Sequence, residues 1–172
     1  MYKKLIYILI IPCLLLKSAT SLDMPKKKPK DFNFILKYGH SAKNIINTFR
    51  NEFTKDLIID GDTTSSLKLT SEEMDTIYQV MRKINILEYP DEFSPPDCDK
   101  SDPNLVHRVT PYSTYYFKIQ INKKMKEIKW EDSNFSKAEK AVKLREIIDM
   151  IDKIIENKEE YKNLPKANGM YL

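Results

Sequence analysis

Glycine is scarce in this 172-residue chain, which has three, together with two histidines, two cysteines and one tryptophan. Three scattered glycines exclude a Gly-rich phosphate loop and a Gly-x-Ser-x-Gly nucleophile elbow, both of which need glycine to bring backbone close to a reacting group. His40 and His107 have no second His or Cys at a ligand spacing, so a structural or catalytic zinc site is not expected. Cys13 lies in the N-terminal apolar run and Cys98 alone would remain after its removal, so a processed chain has no internal disulfide. Nor is one needed, because about 150 residues bury roughly 70 % of their unfolded surface. A basic surface is also missing, despite the formal charge of +4. Residues 1–30 hold seven of the 29 Lys and Arg but one of the 25 acids, leaving 22 basic and 24 acidic groups, a charge of −2, on the rest. Nucleic acid is therefore not an expected partner of the folded part.

The N-terminus has the parts of an export signal: Lys3 and Lys4, an apolar run from Leu5 to Leu16, then small residues. That run falls short of the roughly 20 residues that span a bilayer as a helix. Residues 1–21 read as a signal peptide or N-terminal anchor, with Ala19 and Ser21 at the small positions of a cleavage site. Lipidation of Cys13 is the alternative, with Ile10 as the aliphatic position, although Pro12 stands where a small residue belongs. Residues 22–31, rich in Lys and Pro, read as a linker, since two prolines and a run of lysines build neither helix nor central strand. Lysines so placed are able to touch an anionic membrane surface.

Residues 32–172 read as one α+β domain. The stretch Pro111–Asp132 predicts a β-hairpin, because a turn at Lys123–Lys124 puts Phe117, Ile119, Ile128 and Trp130 on one face and Tyr116, Lys118 and Gln120 on the other. Upstream, alternation predicts a strand at 32–38 ended by Gly39, a second over 48–59 ending in the Asp60-Gly61-Asp62 turn, and a short third at 66–69. Thr70 and Glu73 form the signature of a capping box opening a helix with the stripe Met74, Ile77, Tyr78, Met81 and Ile84, and Ser136 with Glu139 predicts a second. The resulting expectation is a single antiparallel sheet with two helices on one face, in ββα-ββα order.

Few residues offer chemistry. Asp97, Asp99 and Ser101, in an acidic loop spanning 90–111, fall at the first, third and fifth places of a calcium loop and carry the best metal signal, and Asp102, at the sixth place, is the further carboxylate that an irregular site would use. A glycine is required at the sixth place and a bidentate Glu at the twelfth, where Arg108 stands, so only an irregular calcium site is open to them. Tyr116, with Lys118 and Trp130 near it, is the aromatic candidate for contact with a partner. No cofactor is implied.

The stretches LKYGHSAKN, NTFRNEFTKDLIID, TPYSTYYFKI, KWED and KEEYKNLPKANGMYL resemble a family of small exported, often lipid-anchored proteins of low-GC Gram-positive bacteria with no established activity. The resemblance implies an extracytoplasmic location and supplies no catalytic residues. Together these readings favour a secreted or membrane-anchored binding module whose partner is an envelope or surface protein. The alternative is a small extracytoplasmic enzyme or calcium-dependent protein using loop 90–111.

Overall fold

The computed structural model describes residues 23–96 and 108–172. Its backbone forms β1 (Asn33–Tyr38), β2 (Asn44–Asn47), β3 (Glu52–Asp56), β4 (Asp62–Ser66), α1 (Ser71–Lys83), a 3-10 turn at Ile86–Glu88, β5 (Thr114–Ile121), β6 (Lys124–Glu131), α2 (Glu139–Glu156) and the single turn α3 (Glu159–Lys162). The six strands make one antiparallel sheet in the order β4-β3-β2-β1-β5-β6. An α+β architecture is thus present, but four strands precede α1, not the two of a ββα unit.

The cause of that difference lies in four residues. A strand running from Thr48 to Ile59 would leave Phe49 and Asn51 in the ladder, whereas the chain reverses there. Thr48 Oγ1 accepts from Phe34 N at 2.8 Å and Asn47 Oδ1 accepts from Phe49 N at 3.1 Å, while Asn51 takes φ 53°. Local side-chain bonds of Asn and Thr outcompete continued pairing here and create β2 and β3.

The hairpin keeps the expected parity but shifts by two residues. The turn residues are Asn122 and Lys123, at φ 50° and 64°, and Phe117 faces Ile128 while Tyr115 faces Trp130. Asn tolerates the left-handed conformation that a two-residue turn demands. The carboxylate of Asp31 fixes the choice by accepting from Asn122 N at 3.1 Å and Lys123 N at 2.6 Å. The shift sets Lys118 opposite Glu127 and so removes the like-charge pairing of the expected register.

One buried cluster joins the inward residues Phe34, Leu36, Ile46, Phe53, Phe117, Ile119, Ile128 and Trp130 to Ile77, Tyr78 and Met81 of α1 and Leu144, Ile147, Ile148, Ile151 and Ile155 of α2. The Thr70 capping box forms as its spacing demands: Glu73 N donates to Thr70 Oγ1 and Thr70 N to Glu73 Oε2. Ser136 does not cap α2. It is buried, donates to Pro96 O at 2.6 Å and accepts from Ala138 N, so the helix begins at Glu139. Residues 23–31 have no regular structure but are not a free leash. Met24 is buried in the core, and Tyr78 Oη donates to Pro25 O at 2.7 Å.

Candidate binding surfaces

The face of the sheet turned away from α1 and α2 carries the residues of opposite parity. At its centre lie Ile35, Lys37, Ile45, Tyr116 and Lys118, on the three middle strands: Lys37 is paired with both Ile45 and Tyr116, and Ile35 with Lys118. All five are half-buried, and among the described residues no element of secondary structure is layered over them. The Lys37 ammonium sits 5.6 Å from the centre of the Tyr116 ring. Lys118 pairs with Glu127 at 3.3 Å and Lys129 with Glu92 at 3.0 Å. Burial, and then the charge of Glu127, push the Tyr116 phenol above its ordinary range, so it stays a neutral hydroxyl at neutral pH.

Of the residues expected to make contact, Tyr116 and Lys118 lie together on this face, and Trp130 does not. It is 2 % exposed on the core side, with Tyr115 at 5.1 Å, Phe93 at 5.3 Å and the Arg145 guanidinium 5.0 Å from its ring. Its place opposite an inward position of β5 makes it a core residue and removes it from any contact surface. The metal candidates Asp97, Asp99 and Asp102, and the lipidation candidate Cys13, lie outside the described residues. Among the described residues no group of three or more His, Cys, Asp or Glu is arranged to hold a metal ion, and no helix is long and apolar enough to cross a membrane.

A second surface escaped the sequence reading. At one end of the sheet the β1–β2 turn, the β3–β4 turn and the C-terminal part of α2 enclose a cleft of about 290 Å³. Its walls include Tyr38, His40, Lys55, Asp56, Asp152 and Glu156. Tyr38 donates its hydroxyl to the Asp152 carboxylate, and burial is the main cause that raises the pKa of both groups. Glu156 and Asp149 raise Asp152 further, against the pull of the Tyr38 hydroxyl. Lys55 lies 4.3 Å from the centre of the Tyr161 ring. The only local signals for this region were Gly39 and the Asp60-Gly61-Asp62 turn, and both glycines take positive φ, at 84° and 81°. Nothing nearby in sequence joins His40 and Asp56 to Tyr171, which also enters the cleft.

No protein-family model, no curated protein and no solved structure matches this chain.

Proposed function

We propose that the chain works outside the cytoplasm as a binding module, secreted or held at the envelope by its N-terminal segment, and that the sheet face around Tyr116 is its contact surface. The export reading rests on the charged, apolar and small-residue segments of residues 1–21. The observation that carries the contact surface is the Lys37–Tyr116 pair. It places an aromatic ring and an ammonium side by side in the middle of a face that no described element covers.

The chemistry of that patch defines its partner. Ile35, Ile45 and Tyr116 supply an apolar and aromatic centre, the composition from which binding hot spots are built. Lys118 and Lys129 spend their charge on Glu127 and Glu92, whereas Lys37 has no carboxylate among the described residues. A protein surface that offers an apolar side chain beside an Asp or Glu fits this arrangement. An antiparallel sheet is free to leave one face in water, so the test must separate contact from solvation. Capture from envelope extract on the wild-type domain, compared with Tyr116→Ala/Lys118→Ala, does so. Loss of a central aromatic anchor costs about 2 kcal/mol, on the order of 30-fold in affinity. The partner therefore drops out of the variant's eluate, and equal recovery on both would move the contact surface elsewhere.

A further inference from the structure

The C-terminal tail forms one wall of the cleft described above, through Ala167 and Tyr171, and lies against the β1–β2 and β3–β4 turns in the manner of a bound peptide. Beyond α3 it has no regular structure, and most of it is exposed, with Met170 at 77 % and Leu172 at 97 %. Among the described residues it is held at Asn168, Gly169 and Tyr171. Asn168 N donates to Leu57 O at 3.1 Å and Ile59 N donates to Asn168 O at 3.2 Å, one rung of parallel pairing centred on Ile58. Gly169, at φ +93°, passes so close to the β3–β4 turn that a Cβ there would lie 2.6 Å from Ile59 Cδ1. Tyr171 then enters a slot. Its ring stacks on His40 at 3.8 Å and 20°, and its hydroxyl donates to Asp56 Oδ2 at 2.6 Å and accepts from Lys43 Nζ at 2.8 Å.

The receiving side is built largely without the tail. Asp56 is buried and its other oxygen accepts from Ile58 N at 2.9 Å, while Asn44 Oδ1 accepts from Asp56 N at 3.0 Å. Ile58 is held at φ 67°, a conformation that a β-branched residue rarely adopts and that persists where the surroundings impose it. That strained turn is what aims the Leu57 carbonyl and the Ile59 amide outward. The β1–β2 turn supplies His40 and Lys43 through left-handed Ser41 and Ala42. Backbone pairing with one side-chain anchor is the logic of strand-addition peptide recognition.

We infer that the surface of the β1–β2 and β3–β4 turns beside the cleft is a binding site for a peptide of the form Gly-x-Tyr presented by a partner protein, with the chain's own tail as the resident competitor. The glycine is selected by its φ of +93°, which a residue with a Cβ rarely adopts, the middle residue points to solvent as Met170 does, and the tyrosine is selected by stacking on His40 and by Asp56 and Lys43, which both bond its hydroxyl. Gly-x-Tyr occurs once in this chain, at Gly169–Tyr171. This site lies apart from Tyr116 and stands or falls independently of the sheet face.

The test uses full-length chains and a synthetic peptide of residues 166–172, followed by calorimetry or fluorescence anisotropy. Tyr171→Ala empties the slot and Gly169→Ala dislodges the tail by a different route. Both variants bind the free peptide saturably. The wild type binds it at least about 10-fold more weakly, because its tethered tail competes at an effective concentration near millimolar. Peptides carrying Tyr171→Ala or Gly169→Ala do not bind, and His40→Ala combined with Tyr171→Ala abolishes binding of the unmodified peptide. Since the peptide changes cannot affect folding of the protein, they separate recognition from stability. The inference is overturned if both tail variants keep the wild-type melting curve yet ignore the peptide, or if the altered peptides bind as well. It is equally overturned if both variants lose the folded state, which would make the tail a structural element.

Discussion

Arg145 is the side chain whose removal has the most calculable consequence. Its Nε donates to Asp132 Oδ2 and its Nη2 to Asp132 Oδ1, both at 2.6 Å, and its Nη1 donates to Ser136 O at 2.7 Å. The Asp132 side chain is 2 % exposed and that of Arg145 is 17 % exposed, so this is a buried, two-pronged pair that ties α2 to the end of β6. The guanidinium also lies 4.7 Å from the Phe135 ring centre and 5.0 Å from that of Trp130. Arg145→Ala leaves a carboxylate buried without its cation, and breaking such a pair costs about 3–5 kcal/mol. Against a total of roughly 5–15 kcal/mol this is a large fraction, and at about 2–4 °C per kcal/mol it lowers Tm by on the order of 6–20 °C. Urea unfolding of wild type, Arg145→Ala, Asp132→Ala and the double variant measures it. The double variant should lose clearly less than the sum of the singles, because it leaves no unpaired charge behind. A loss below about 1 kcal/mol for Arg145→Ala, with additive singles, would refute the view that this pair locks α2 to the sheet.

Two further predictions concern the ends of the sheet. The carboxyl of Asp152 is raised above its ordinary 3.8 by burial first, so the native state holds that proton more tightly than the unfolded chain. Stability from this group is therefore full below 3.8 and is lost as pH rises through the raised native value. Asp152→Asn abolishes that loss, so its urea midpoint should gain on the wild type as pH rises above 3.8; parallel pH profiles would contradict the assignment. In the β5–β6 turn, Lys123 stands at φ 64°, where glycine is the natural occupant. Lys123→Gly should stabilise by about 0.5–1 kcal/mol in thermal unfolding, the relief of left-handed strain less the added chain entropy, and destabilisation would contradict the turn geometry.

Local signals in the sequence were sufficient for the faces and insufficient for the connections. Alternation in β1, β5 and β6 assigns each residue to core or solvent, because a pleated strand offers two sides and parity survives a shift of two. The same parity put Tyr116 outside and Trp130 inside. Helix α1 was legible through its capping box and stripe, both of which act within four residues. What remained hidden depends on distant partners. The register of the hairpin is set by Asp31, some 90 residues away in sequence, and the start of α2 by the carbonyl of Pro96, which draws Ser136 away from capping. The reversal at Thr48–Asn51 was missed because its Asn and Thr bonds lie inside a run that reads as strand. The C-terminal tail docks through Asn168 and Tyr171, with Leu172 left in solvent, and the pairing of Tyr171 with His40 and Asp56 has no local trace.

The central claim is that the sheet face around Tyr116, which no described element covers, meets another protein. The most direct measurement replaces Tyr116 with a photo-crosslinking benzoylphenylalanine in the native host, with Val142, exposed on α2 on the opposite side, as the control position. The account predicts a discrete adduct from position 116 and none from 142. No adduct from 116, or the same adducts from both positions, would contradict it.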